Sequence, residues 1–393
     1  MKKIIFYCQY LSGIGHLVRS TEIVRSLVKN FQVYFVNGGP PIAGFEMPPE
    51  VELIELPAIW LEDGEFRVAD TLSVESVQEL RKNQLISIVE QVQPDCLITE
   101  FFPFGRHLLL FELLPLLEYI KSTAPHTKII CSLRDVIGKV SDIQEEDTIC
   151  YLMNKYFDLL LFHSDANFQI FAESFRRHQD INCPVTHTGF IAQSLKESGG
   201  NLWSDNKDFA KILVSVGGGR IGQELLQTVV EASTIISKEI KHEIQMFTGP
   251  FIPEDKFLSL QQAVKNQTNI KIAKYTQKLL EYMKTADISI SLSGYNTAMN
   301  ILSTGVKAIV VPLSHNDQDK EQLLRTQKLE ELGVVEVIHP DNLNPAYLAN
   351  AVIKSLSTKH IGSKEQSFDL KGAENTNTFL RKFLNKKALS PTY

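Results

Sequence analysis

Short runs of apolar, largely β-branched residues alternate along this chain with longer segments whose apolar positions recur every three to four residues. Runs of the first kind predict strands buried on both faces, segments of the second predict helices with one apolar stripe. Their alternation predicts parallel sheets covered by helices. In the first half, strands are expected at 3–9, 32–37, 51–56, 95–100, 128–133 and 157–164, and helices at about 16–29, 72–92, 104–121, 143–156 and 167–176. The first helix sets Val24, Leu27 and Val28 on one side and Arg19, Glu22 and Arg25 on others. Periodicity lapses around 188–206, where Gly199, Gly200, Ser204 and Asp205 bring loop chemistry. A second series of strands follows at 211–215, 243–247, 269–273, 288–292, 307–311 and 334–338.

This pattern predicts an α/β protein of two facing Rossmann-like, doubly wound domains, with a cleft lined by loops at the carboxyl ends of both sheets. The expected boundaries are a first domain at 1–190, a linker at 191–206, a second domain at 207–360 and a C-terminal helical segment at 361–393 that packs back on the first domain. A chain of 393 residues is too long for one hydrophobic core and suits two.

Charge and cysteine usage narrow the partners. A net charge of -6 argues against nucleic acid, because phosphate neutralisation needs a basic surface. Cys8, Cys96, Cys131, Cys150 and Cys183 are odd in number, far apart and never in a C-x-x-C arrangement. They read as small buried hydrophobes, and a reducing, cytoplasmic setting is the expectation. The opening Lys2-Lys3-Ile4-Ile5-Phe6-Tyr7-Cys8 superficially suggests a signal peptide, but its apolar run is short and lacks a small-residue cleavage site, so a first buried strand is expected.

Two turns in the second half suit an anion. After one strand comes Ser215-Val216-Gly217-Gly218-Gly219-Arg220-Ile221-Gly222, where glycines let the backbone approach a ligand and the next helix offers unpaired N–H groups. The bland alternative is a turn that serves packing alone. After another strand comes Leu292-Ser293-Gly294-Tyr295-Asn296-Thr297, in which Asn296 and Asn300 fall at i and i+4 and can face one ligand. Here the alternative is an ordinary N-cap. Two such turns in one domain favour a diphosphate. The loop 314–319, leading into Lys320-Glu321-Gln322, could accept hydrogen bonds from sugar hydroxyls. Asp317-x-Asp319 within it reads as solvated rather than metal-binding, so no metal and no cofactor are expected.

In the first domain, Leu11-Ser12-Gly13-Ile14-Gly15-His16 follows the first strand and opens the first helix, placing His16 at the mouth of the cleft. An imidazole there could accept a proton from an acceptor hydroxyl, or could only pack and cap. Glu100 ends a strand at the same sheet edge and shifts the balance, since a carboxylate beside an imidazole fixes its tautomer. Asp135, ending the neighbouring strand, is the reserve catalytic candidate, with a salt bridge to Arg134 or a cap as its simpler role. Phe101-Phe102-Pro103-Phe104 and the leucines after it are core, an acceptor groove or a membrane-surface patch, with Gly13, Gly15, Phe102 and Phe104 taken as acceptor-side candidates.

With these residues in place, the chain resembles GT-B glycosyltransferases over nearly its whole length. The stretch 214–219 resembles the glycine turn of the N-acetylglucosaminyltransferase that makes lipid II. Ser293-Gly294-Tyr295-Asn296-Thr297, Gly305-Val306, Val311-Pro312, Glu321-Gln322 and Leu332-Gly333 are similar both to that enzyme and to UDP-glycosyltransferases. Gly13-Ile14-Gly15-His16-Leu17, the run 99–106, Ser132-Leu133-Arg134-Asp135 and Gly294-Tyr295-Asn296-Thr297 resemble a group of predicted bacterial glycosyltransferases related to it.

The resemblance implies a nucleoside diphosphate sugar, UDP-linked, as co-substrate and a small-molecule, glycan or lipid acceptor. It implies that His16 is the general base and that Glu100 stands where those families carry the orienting aspartate. It places Gly218, Gly219, Ser293, Gly294, Asn296 and Thr297 at the donor diphosphate, with Gly217 and Arg220 in the same turn. Tyr275 and Thr276 fall near the nucleobase, and Glu321 and Gln322 at the donor-sugar hydroxyls. One departure stands out: Asn300 occupies the position of a glutamate that grips both ribose hydroxyls. An amide accepts fewer hydrogen bonds from a diol, at a cost of about 1–3 kcal/mol.

The expected reaction is metal-independent, inverting sugar transfer. Its rivals are a nucleotide-sugar hydrolase or epimerase on the same fold, and a non-catalytic nucleotide-binding subunit. Neither the acceptor nor the oligomeric state is written in the residues.

Overall fold

The computed structural model describes residues 1–11, 14–42, 45–62, 64–69, 72–135, 143–194, 202–313, 320–358 and 368–385. In chain order the first half contains β1 (Lys3–Cys8), α1 (Gly15–Leu27), β2 (Gln32–Asn37), β3 (Glu52–Glu55), β4 (Ile59–Glu62), β5 (Glu65–Val68), α2 (Val74–Val92), β6 (Cys96–Glu100), α3 (Leu110–Thr123), β7 (Lys128–Arg134), α4 (Ile143–Tyr156), β8 (Leu159–His163), α5 (Phe171–Ser174) and β9 (Val185–His187). The second contains β10 (Ala210–Ser215), α6 (Gln223–Ile236), β11 (His242–Phe247), α7 (Glu254–Ala263), β12 (Ile270–Ala273), α8 (Leu279–Thr285), β13 (Ile288–Leu292), α9 (Tyr295–Thr304), β14 (Ala308–Val311), α10 (Lys320–Glu331), β15 (Glu336–Val337), α11 (Pro345–Ser357) and α12 (Gly372–Asn385).

The first half forms a seven-stranded sheet ordered β3-β2-β1-β6-β7-β8-β9, and the second a six-stranded sheet ordered β12-β11-β10-β13-β14-β15. Within each sheet the neighbouring strands run parallel. Both sheets are buried on two faces, which is why their strands read as continuous apolar runs. Along β1, Ile4, Phe6 and Cys8 join the core beneath α1 and α12, while Ile5 and Tyr7 join the core beneath α2, α3 and α4. In the second sheet, Ile212 and Val214 pack with α6 and α11, and Leu213 faces the side occupied by α8 and α9.

Strand order reverses once in each sheet, between β1 and β6 in the first and between β10 and β13 in the second. At such a point the crossover connections leave to opposite faces and the carboxyl ends of two adjacent strands open a crevice. His16 and Glu100 follow or end β1 and β6. The turns at 215–222 and 292–297 follow β10 and β13. All four candidate segments therefore sit at a reversal.

The pattern of the sequence differs from the structure in a few places. The antiparallel pair β4–β5 and the strand β9, four, four and three residues long, are too short to stand out. The helix expected from residue 104 begins at Leu110, because Arg106 adopts a left-handed backbone conformation (φ 69°) that interrupts it. Arg19 and Glu22, set off the apolar stripe of α1, are both buried, Arg19 against Glu100. The C-terminal helix α12 lies across α1, with Ala373, Leu380 and Leu384 in the core of the first sheet. Among the described residues, no helix is long and apolar enough to cross a membrane.

Candidate active site

His16 stands in the first turn of α1, whose N-terminus has no side-chain cap. Its Nδ1 lies 2.7 Å from Glu100 Oε1. Burial alone would raise the Glu100 carboxyl, but His16 and Arg19 outweigh it and hold the group well below the usual carboxylate range. An ionised carboxylate only accepts hydrogen bonds, so Nδ1 carries the proton and Nε2 keeps its lone pair. Burial, followed by the charge of Arg106, pulls the His16 pKa down to about 3, against the opposing pull of Glu100. The ring is therefore neutral, as a proton acceptor must be, and 16% of its side chain remains exposed.

The second-domain turns abut one another. A Cβ on Gly222 would come within 2.8 Å of Leu292 Cδ1, and one on Gly219 would lie 2.3 Å from the Thr248 carbonyl. Glycine is required at 219 because φ is 88° and the loop after β11 packs directly upon it. The carbonyls of this turn are engaged: Phe251 N–H donates to Gly218 O at 2.9 Å, and Gln223 Nε2 donates to the oxygens of Gly219 and Arg220. Gly217 is exposed with open space about its Cα, and Arg220 lies over Phe251 at 5.0 Å. Neither α6, which starts after Gly222, nor α9, which starts after Gly294, is capped by a side chain. Their first N–H groups and positive dipole ends face the same reversal point, as an anion would require.

The two halves meet at this place. Asn296 Nδ2 donates to the Gly15 carbonyl at 3.0 Å, joining the start of α9 to the loop that carries His16. Tyr295 packs beneath, with Arg19 at 5.4 Å and Arg325 at 5.3 Å from its ring, and its hydroxyl accepts from Ile191 N–H at 3.0 Å.

Other candidates have different surroundings from those expected. Asp135 is not free to act on a substrate: fully buried, it receives Arg325 Nε at 2.7 Å and Nη2 at 2.8 Å, an ion pair across the two domains rather than one with Arg134. Phe102 and Phe104 are corrected to core residues, 0% and 3% exposed, leaving Phe101 as the aromatic beside His16, centroids 5.7 Å apart. Asn300 does not share an open face with Asn296. It is 2% exposed and its amide donates to Gln193 of the linker, which covers it. The Ser293 hydroxyl is buried against Thr326, and Thr276 Oγ1 accepts from Lys278 N–H. Tyr275 is half-buried, its hydroxyl pKa raised by burial and by Glu46 of the first domain. Gln322 Oε1 is buried without a hydrogen-bond partner among the described residues. Thr297 is half-buried in the first turn of α9. Gly13, the loop 314–319 and the Glu321 side chain lie outside the described residues.

Three neighbours were given no role at the site by the sequence, Arg19, Arg106 and Arg325, and Phe101 entered only as part of an apolar stripe. Arg19 follows His16 by three residues, a helical spacing that could have flagged it. Arg325 gives no such signal, because its partner is 190 residues away.

Two parallel sheets with facing reversal points define the class of protein: an α/β chain of the GT-B glycosyltransferase fold. TcCGT1, solved in complex with UDP, superposes with a TM-score of 0.60 at 15% identity, covering 99% of this chain and 96% of that one. More particularly, residues 212–376 match the glycosyltransferase family 28 C-terminal domain. The chain is 26% identical over 159 residues to the UDP-N-acetylglucosamine–N-acetylmuramyl-(pentapeptide) pyrophosphoryl-undecaprenol N-acetylglucosamine transferase of Haemophilus influenzae strain PittGG, covering 40% of this chain and 43% of that protein. It is 23% identical over 318 residues to the NDP-glycosyltransferase YjiC of Bacillus subtilis strain 168, covering 78% and 77%. The chain thus spans about half the length of the N-acetylglucosamine transferases it matches.

Proposed function

We propose that this protein is a glycosyltransferase that moves a sugar from a nucleoside diphosphate sugar, UDP-linked, to an acceptor hydroxyl with inversion at the anomeric carbon. The observation that carries the reading is the neutral His16, hydrogen-bonded to Glu100 and joined through Gly15 to the uncapped start of α9. The donor lies against the second domain, with its diphosphate at the starts of α6 and α9. The acceptor oxygen attacks the anomeric carbon from the side of the first domain while His16 Nε2 takes its proton. The bond from that carbon to the diphosphate oxygen breaks as the new one forms, and the leaving group's negative charge develops at the two helix starts. Glu100 stabilises the imidazolium that results. The similarity of the second half to the family 28 domain and the UDP complex of TcCGT1 support the donor class.

Replacing His16 with Ala is expected to lower kcat about 10²–10⁴-fold while the Kd for UDP stays within twofold. Transfer at the wild-type rate would remove His16 from the chemistry, and free sugar or an isomerised donor formed without any acceptor would replace transfer by hydrolysis or epimerisation.

A further inference from the structure

The loop between β6 and α3 holds a cation that makes no ion pair among the described residues: the charge of Arg106 acts on Glu100, but that carboxylate is already held by His16 and Arg19. Four arginines gather around His16 and Asp135. Arg19 has Glu100 and Arg325 has Asp135. Arg106 has no ion-pair partner among the described residues, and its Nε is buried with no hydrogen-bond partner. Its guanidinium lies over the Phe101 ring at 5.9 Å, and that of Arg134 lies over the same ring at 4.8 Å. Phe101 in turn meets His16 edge-on.

The loop is built to hold this arrangement. Phe101 and Arg106 are non-glycine residues with positive φ, a conformation that costs energy and persists where surrounding structure imposes it, often at ligand sites. Gly105 lets the Phe101 ring fold back, since a Cβ there would sit 2.4 Å from the ring. Withholding a guanidinium nitrogen from both water and a partner is unfavourable, and a bound oxyanion with two acceptor oxygens matches the fork of an arginine.

We propose that Arg106, beside Arg134 on the Phe101 ring, recognises an anionic group, carboxylate or phosphate, on the acceptor close to the hydroxyl that is glycosylated. The word acceptor rests on the transferase reading; the anion site does not. Arg106 belongs to the first domain, on the His16 side of the crevice, whereas the helix starts assigned to the donor diphosphate belong to the second.

Binding to the full-length protein, with and without saturating UDP, tests this independently of turnover. N-acetylglucosamine 1-phosphate and glucuronic acid, compared with N-acetylglucosamine and glucose, can be followed by histidine ¹H–¹⁵N NMR. At least one anionic probe is expected to bind tenfold or more tightly than its neutral counterpart with UDP in place, and which one does so distinguishes phosphate from carboxylate. Arg106→Met should bring each pair within about twofold, Arg106→Lys should retain part of the preference, and UDP affinity should stay within twofold in both. Equal binding of charged and neutral probes to the wild type overturns the proposal even if the variants do not fold. So does displacement of the anionic probe by UDP, or a tenfold loss of UDP affinity in Arg106→Met, either of which would move Arg106 to the donor. Probe binding as expected with no transfer to any acceptor would leave this site standing and overturn the transferase reading alone.

Discussion

His16 and His163 are both held neutral by burial, each with a pKa near 3, His16 beside Glu100 and His163 between Ser132 and Thr188 at 2.8 and 2.7 Å. A histidine whose folded pKa lies below its unfolded value of about 6.5 binds fewer protons in the folded state. Stability then rises with pH between about 3 and 6.5 and is lost as pH falls through that window. The melting temperature is expected to drop steadily from pH 7 to pH 4, and His163→Gln to show a shallower dependence than the wild type. An identical slope would mean that His163 titrates normally. The same reasoning places the acid limb of kcat/KM below pH 5 rather than near 6.5, read from a pH–rate profile with a fixed acceptor. Residue chemistry of this kind was only half legible in the sequence. His16 and Glu100 could be paired because each ends or follows a recognisable strand. Arg106 could not be singled out, because what distinguishes it, a buried Nε with no hydrogen-bond partner and no ion pair among the described residues, exists only in three dimensions.

At the scale of elements, the glycine turn after β10 joins two of the readings that its sequence left open. It packs against the loop after β11 and also presents an exposed Gly217 and the uncapped start of α6. Gly219→Ala puts a methyl group into the Thr248 carbonyl at positive φ, so we expect a loss of about 1–3 kcal/mol in chemical denaturation. Neutral stability would show that the turn can shift without cost. Most strands were legible because burial on both faces leaves unbroken apolar runs, and the ends of β2, β13 and α4 fall where the pattern puts them. The β4–β5 pair was not, since each strand is only four residues long and most of its side chains stay partly or fully exposed. Helix α5 shrinks to Phe171–Ser174 because the apolar residues around it, Phe168 and Phe175, serve two different cores.

On the scale of the whole molecule, an apolar seam and a buried ion pair join the two halves, alongside hydrogen bonds such as Asn296 to Gly15 and Lys328 to Phe168. Phe168 and Phe190 from the first half pack with Leu213, Tyr295 and Met299 of the second. Beside them, Asp135 and Arg325 are both fully buried. Removing one partner leaves an uncompensated charge, so Asp135→Asn or Arg325→Met should each cost about 3–5 kcal/mol, while the double replacement Asp135→Leu with Arg325→Met should recover much of that loss. Additive losses in a double-mutant cycle would show that the pair is not coupled. Because both residues lie beside the crevice, the single variants should also raise the KM for donor through a more open pair of domains.

The amino-acid sequence by itself determined the alternation of strands and helices, the division into two similar halves, and which turns end in glycine, asparagine or histidine. Those follow from local backbone preference and from burial, which act on neighbouring residues. Tertiary structure alone decided the strand order, and with it the reversal points that bring four separated segments to one crevice. It also decided which charges are paired: Arg19 with Glu100 and Arg325 with Asp135 across 190 positions, whereas Arg106 makes no ion pair among the described residues. Long-range pairing leaves no period in a chain, so it becomes visible only once the sheets are assembled.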